Sequence, residues 1–129
     1  MRILLVDNEP MYLNLLTELL RLHGHSVLKA EDGESALEIL KSYPVDLIIS
    51  DISMPKMNGF SLHRAVRADQ SLSSIPFVLN SGYRELFDAV EIENPEIDYG
   101  LNKTFTIPGL LEIIKKVEKG LFKRAAVVA

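Results

Sequence analysis

Five short apolar segments alternate along this chain with longer segments of helical periodicity, and this alternation limits the fold more than any other feature. The apolar segments are RILLV, SVLKA, VDLIIS, PFVLN and IDYGL, at residues 2–6, 26–30, 45–50, 76–80 and 97–101. Between them, apolar residues recur at i, i+3 and i+4, which is typical of amphipathic helices. Strands that alternate with helices predict an α/β fold, with a parallel sheet, helices on both faces and right-handed crossovers.

Proline and glycine indicate where several of the predicted helices begin and end. Pro10 suits the first turn of the first helix, and Gly24 suits its C-terminal end. The last helix is expected to begin near Thr106 and to stop near Gly120. We therefore expect a single domain over residues 1–121, followed at 122–129 by a C-terminal tail or the start of a linker.

Composition excludes several classes of function. The chain has no cysteine, which rules out thiolate metal sites, disulfides and thiol catalysis. Its net charge of −4 argues against nucleic-acid binding by this domain. The sequence contains neither an apolar segment of about 18 residues nor a signal peptide. We therefore expect a soluble, cytoplasmic protein that does not enter a membrane.

Polar residues follow the predicted strands at their carboxyl ends. Asp7 follows the first strand, Asp51 ends the third, Ser81 follows the fourth and Lys103 follows the fifth. In open parallel sheets, ligands bind beyond the carboxyl ends of the strands. Taken alone, an aspartate at the end of a strand is more often a helix cap or a turn residue than a functional one. The set of four polar residues, which central strands would bring to one edge of the sheet, favours a functional site.

The chemistry of these residues points to a metal and a phosphoryl group. Asp7 and Asp51, with the amide oxygen of Asn8, are the hard oxygen ligands that suit Mg²⁺. A divalent cation would also relieve the repulsion between clustered carboxylates. A carboxylate next to Mg²⁺ can attack phosphorus and form an aspartyl phosphate. Lys103 would then balance the added negative charge, and Ser81 would donate a hydrogen bond to a phosphoryl oxygen.

These motifs resemble the receiver domain of two-component response regulators over essentially the whole chain. LLVDNEP is similar to the family's acidic first loop, LIISDISMPKMNGF to its phosphoacceptor strand and loop, PFVLNSG to its switch strand and LNKTF to its lysine segment. The resemblance implies a flavodoxin-like doubly wound (βα)5 sandwich, with a five-stranded parallel sheet in the order 2-1-3-4-5. It implies a phosphorelay signalling domain rather than an enzyme, although phosphorylation and dephosphorylation can be self-catalysed.

The resemblance also assigns roles to individual residues. Asp51 is the expected phosphoacceptor, Ser81 the switch hydroxyl and Lys103 the contact to the phosphoryl group. The implied Mg²⁺ ligands are Asp7, Asn8, Asp51 and the backbone carbonyl of Ser53. The implied phosphodonor is a sensor histidine kinase or a histidine phosphotransferase. An output domain and a homodimer both stay open as the partner that senses the phosphorylated state.

Three residues depart from the family pattern. Asn8 replaces the second aspartate of the acidic pair, Thr104 replaces the proline after the lysine, and Gly100 replaces the switch aromatic. A neutral amide binds Mg²⁺ less well than a carboxylate does, and Glu9 would compensate if its side chain turned inward. Asn8 and Glu9 could instead cap the first helix. Tyr99 is not expected to replace the aromatic, because successive strand residues point to opposite faces.

Other functional classes are compatible with the same architecture. Asn8 and Thr104 would also suit a pseudo-receiver, which binds partners without taking phosphate. A flavodoxin would need a first loop rich in Ser, Thr and Gly, whereas DNEP would repel phosphate. A phosphatase of the haloacid dehalogenase type would carry a second aspartate where this chain has Ser53. Acidic residues at 84–98 and basic residues at 115–124 form either two solvated faces or a complementary surface for a dimer or another partner.

Overall fold

A computed structural model of the protein describes residues 1–81, 97–102 and 106–128. Five parallel strands form one sheet in the order β2-β1-β3-β4-β5. The strands are β1 (Arg2–Val6), β2 (Ser26–Ala30), β3 (Leu47–Asp51), β4 (Phe77–Ser81) and β5 (Asp98–Asn102). The described helices are α1 (Pro10–Leu22), α2 (Gly33–Ser42), α3 (Gly59–Ala68) and α4 (Thr106–Val128). The predicted α/β class, flavodoxin-like fold and strand order are confirmed.

The two glycines expected to end helices behave differently. Gly24 follows α1 with a φ of 87°, a left-handed conformation that favours glycine. Gly120 stays inside α4, so the expected stop near this residue is wrong. A glycine inside a helix costs only about 1 kcal/mol relative to alanine, and residues with good helix propensity follow it. The domain limit at residue 121 stays a prediction, and the acidic segment at 84–96 lies outside the described residues.

The sheet is buried on both faces because its central strands are apolar at successive positions. Ile3 and Leu5 of β1 pack with one core cluster, which also contains residues of α1 and α4. Leu4 and Val6 pack with the other cluster, which contains residues of α2 and α3. This two-sided burial holds β1 and β3 in the middle of the sheet, so their carboxyl ends open at a single edge.

A buried ionic network joins the start of β5 to α3. Asp98 is 5% exposed and accepts hydrogen bonds from His63 Nε2 at 2.9 Å and from Arg67 Nε at 3.1 Å, with a further short contact to Arg67 Nη2. Arg67 Nη1 also donates to the backbone oxygen of Ile75 at 2.8 Å. The network therefore ties together the helix before β4, the loop that leads into it, and β5.

Replacement of Arg67 by methionine tests this network. The variant Arg67→Met would leave the Asp98 carboxylate buried without its guanidinium partner, so the free energy of unfolding should fall by about 3–5 kcal/mol. Arg64→Met, at an exposed position of the same helix, should change it by less than about 0.5 kcal/mol. Urea unfolding of both variants measures the difference. Equal stabilities would show that the network contributes little.

His25 is a partly buried titratable residue near the amino terminus. Its Nδ1 lies 3.2 Å from the Met1 ammonium nitrogen, and its Nε2 lies 3.4 Å from an oxygen of Glu118. Burial, helped by the positive charge of the amino terminus, lowers the pKa of His25 below its ordinary value of 6.5, although Glu118 opposes this shift. The folded protein therefore binds a proton at His25 less readily than the unfolded chain does.

This lowered pKa predicts a pH dependence of stability. Below about pH 6.5 the unfolded chain takes up the proton first, so the free energy of unfolding should decrease as the pH falls towards the folded-state pKa. His25→Gln should remove that part of the dependence. Urea unfolding of both proteins at about pH 7.5 and about pH 5.5 gives the comparison. An identical pH dependence in the two proteins would contradict the prediction.

Candidate functional site

Asp7 and Asp51 lie side by side at the carboxyl edge of the sheet. Val6 of β1 pairs with Ser50 of β3, and the two aspartates come one residue later on neighbouring strands. Both are almost completely buried, with exposures of 4% and 6%. The sequence-based prediction that these two carboxylates meet at one edge is confirmed.

Backbone amides orient both carboxylates. The N–H of Glu9 donates to Asp7 Oδ1 at 2.9 Å, and the N–H of Ile52 donates to Asp51 Oδ1 at 2.8 Å. Each aspartate is therefore held by the loop that follows its own strand. Such bonds restrict the rotation of the side chain.

The MNGF segment brings α3 close to the end of β3. The Asn58 side chain caps the helix by accepting a hydrogen bond from the N–H of Ser61 at 2.9 Å. The N–H of Gly59 donates to the backbone oxygen of Ile52 at 2.9 Å. A Cβ atom at Gly59 would lie 2.2 Å from the Asp51 carbonyl oxygen, so only glycine permits this approach. The motif thus fixes the loop immediately after Asp51.

The same loop is tied to the start of α2. Lys56 Nζ lies 3.8 Å from Asp32 Oδ2, and the N–H of Gly33 donates to the Met57 oxygen at 3.2 Å. Asp32 caps α2, and the hydrogen bond from the backbone N–H of Ser35 lowers the pKa of its carboxyl group. Asp32 therefore stays charged and keeps its attraction to Lys56 at neutral pH.

A third carboxylate joins the two aspartates. Asp7, Glu9 and Asp51 each offer an oxygen, and these three oxygens lie within 4.8 Å of one another. Three carboxylates so close together repel one another, and a divalent cation with oxygen ligands would offset this repulsion. The donor set therefore fits Mg²⁺. Asn8 and Ser53, the other predicted ligands, are exposed in the loops after β1 and β3.

Asn80 and Tyr12 form a polar contact behind the carboxylates that the sequence reasoning missed. The Asn80 amide nitrogen donates to the Tyr12 hydroxyl at 2.8 Å. Both residues line a cavity of about 10 Å³, together with Asp7 and Asp51. The available signal was an asparagine within the apolar segment PFVLN, where buried polar residues need a partner.

Of the predicted site residues, Ser81 is located only by its backbone, and Lys103 lies outside the described residues. Ser81 ends β4 and pairs with Asn102 of β5, so its backbone lies at the same edge of the sheet as Asp51. The side chain of Ser81, and all of Lys103 and Thr104, lie outside the described residues. The roles predicted for Ser81 and Lys103 therefore stay predictions.

The sequence model of the protein family "Response regulator receiver domain" matches residues 3–115 of the chain. The chain belongs to this family. It is 33% identical to the chemotaxis protein CheY of Pseudomonas aeruginosa over 118 residues, which cover 91% of this chain and 95% of CheY. It is 40% identical to protein PilH of the same organism over 78 residues, which cover 60% of this chain and 64% of PilH.

The fold is also similar to that of a solved response regulator structure. The response regulator protein TrrA of Thermotoga maritima, in complex with Mg²⁺-BeF, is 32% identical and superposes with a TM-score of 0.78. The match covers 90% of this chain and 97% of that one. Residues 3–115 thus form a receiver domain of the two-component response regulator family. Within the described residues, no helix combines the length and the apolar character that crossing a bilayer requires.

Substitution of Gly59 tests how tightly the loop after Asp51 is built. Gly59→Ala forces the α3 terminus away from the Asp51 carbonyl, so the free energy of unfolding should fall by about 1–3 kcal/mol. Gly109→Ala is the matched control, because its Cβ would meet only a side-chain atom of Leu101 at 3.3 Å. Urea unfolding of both variants provides the measurement. A Gly59 variant as stable as the control would refute the close approach.

Proposed function

We propose that this receiver domain accepts a phosphoryl group on Asp51 from a sensor histidine kinase or a histidine phosphotransferase. The observation that supports this is the cluster of carboxylate oxygens around Asp51, within 4.8 Å of one another. Asp51 is 6% exposed, and the N–H of Ile52 holds one of its oxygens at 2.8 Å. An oriented carboxylate beside a cation site suits nucleophilic attack on phosphorus.

In the proposed reaction, a carboxylate oxygen of Asp51 attacks the phosphorus of a phosphohistidine. The bond between phosphorus and the imidazole nitrogen breaks, and its electron pair stays on that nitrogen. Asp7 and Asp51 would hold Mg²⁺, which when bound offsets the negative charge of the carboxylates and the phosphoryl group. Lys103 would balance the charge of the aspartyl phosphate, and Ser81 would donate a hydrogen bond to it.

The phosphorylated state would then be recognised by an output domain or by a second copy of the chain.

The second candidate function is a phosphorylation-independent interaction module. Asn8 favours it, because this residue replaces a charged metal ligand of the family by a neutral amide. The two functions differ in one observable property, which is covalent labelling of Asp51.

Labelling with acetyl phosphate and Mg²⁺ decides between them. Intact-mass measurement should show one added phosphoryl group on the parent protein and none on Asp51→Asn, because the variant lacks the nucleophile. Asp69→Asn changes an exposed aspartate at the C-terminal end of α3, so this variant should be labelled like the parent. Removal of Mg²⁺ by a chelator should abolish the labelling.

Labelling of Asp51→Asn to the same extent as the parent would show that another residue is the acceptor. A folded parent protein that takes no phosphoryl group at any Mg²⁺ concentration would support the interaction module instead. Mass measurement of the parent alone therefore separates the two functions, and the variant locates the acceptor.

A further inference from the structure

The Glu9 carboxylate lies close to Asp7 and Asp51. Asn8 removes one carboxylate from the acidic pair of the receiver family, so Glu9 could supply the missing negative charge. An oxygen of Glu9 is within 4.8 Å of oxygens of both Asp7 and Asp51. Two oxygens bound to the same Mg²⁺ are about 3–4 Å apart, given bond lengths of about 2.0–2.1 Å. The Glu9 side chain is exposed whereas its two neighbours are buried, and the limit of 4.8 Å between the three oxygens is close to the spacing of oxygens that share one ion.

Helix capping does not explain the position of this carboxylate. Glu9 occupies the N-cap position of α1, where a side-chain oxygen commonly accepts a hydrogen bond from the first turn. In the described chain, the Glu9 side chain makes no capping hydrogen bond, and Pro10 occupies the first turn. The backbone N–H of Glu9 instead donates to Asp7 Oδ1 at 2.9 Å, which folds the loop towards the aspartates.

A second observation beside the two aspartates, independent of Glu9, fits a hydrated cation. Asn80 is 1% exposed, and among the described residues its Oδ1 atom has no hydrogen-bond partner. Asn80, Asp7 and Asp51 line a cavity of about 10 Å³, close to the smallest space that holds one water molecule. Mg²⁺ keeps several of its waters in protein sites. A metal-bound water in this cavity would donate to the Asn80 oxygen while the carboxylates bind the ion.

We propose that Glu9 replaces the second aspartate of the receiver family, so that Asp7, Glu9 and Asp51 bind one Mg²⁺. Asn8, which the family pattern would make a ligand, then stays outside the first coordination sphere. The ion keeps three charged ligands despite the neutral residue at position 8. This inference rests on the proposed function, because the ion it describes is the one that would assist phosphorylation of Asp51.

A double-mutant cycle on Mg²⁺ affinity tests the assignment. Isothermal titration of the full chain with Mg²⁺ should show that Glu9→Gln weakens binding about tenfold or more, which is the effect of one lost unit charge near 4 Å. Asn8→Asp should tighten binding much more in the Glu9→Gln background than in the parent, because one carboxylate then replaces the other. Mn²⁺ should broaden the NMR signals of Glu9 in the parent protein.

The matched control is Glu34→Gln. Glu34 is an exposed carboxylate in the first turn of α2, so this variant loses the same charge at a helix start without touching the cluster. Its Mg²⁺ affinity should equal that of the parent. If Glu9→Gln also equals the parent, or if Asn8→Asp acts equally in both backgrounds, Glu9 is not a ligand. A parent that does not bind Mg²⁺ overturns the assignment as well.

Labelling with acetyl phosphate separates this inference from the proposed function. A parent that is labelled on Asp51, with unchanged Mg²⁺ affinity in Glu9→Gln, would leave the phosphoacceptor function standing and remove the ligand assignment. Weakened Mg²⁺ binding in Glu9→Gln, with no labelling of the parent, would support the ligand assignment and contradict the phosphoacceptor function. Stability measured by urea unfolding completes the test, because a merely structural Glu9 would change stability and leave the affinity unchanged.

Discussion

The parallel pairing of β1 and β3 is the constraint on which the rest of the site depends. Both strands are apolar at successive positions and are covered by helices on both faces, so neither can shift by one residue without exposing its core side chains. The register that results ends both strands at the same level, with Val6 opposite Ser50. Asp7 and Asp51 are therefore neighbours because the core packs, and their chemistry follows from that proximity.

Oxygen acceptors dominate the part of the site that the structure describes. The carboxylates of Asp7, Glu9 and Asp51 and the amide oxygen of Asn80 all need positive charge or hydrogen-bond donors. Backbone N–H groups from the loops after β1 and β3 supply some of these donors. Gly59 makes the second loop possible, because any side chain at that position would collide with the Asp51 carbonyl. The fold thus keeps negative charge at one edge and holds it in a fixed geometry.

The carboxyl-terminal part of β4 contacts β5 through strand pairing and α1 through a side-chain hydrogen bond. On one side, Leu79 pairs with Gly100, so β5 offers no ring at the position where the resemblance predicts the family's switch aromatic. Tyr99 pairs with Val78 and packs on the opposite face, against the core cluster of α1 and α4, as the alternation of strand residues predicts. On the other side, the side chain of Asn80, the residue before Ser81, donates a hydrogen bond to the hydroxyl of Tyr12 in α1.

The sequence by itself determined the elements, their order and the approach of Asp7 to Asp51, because strand burial and helical periodicity are local patterns that packing has to respect. It also allowed the Glu9 side chain either to cap the first helix or to turn towards the aspartates, and only the tertiary structure decided that its oxygen lies near them. The bond between Asn80 and Tyr12 and the pairing of His63 with Asp98 likewise join residues 68 and 35 positions apart. No local periodicity encodes such contacts, because they depend on where the packed core places each backbone.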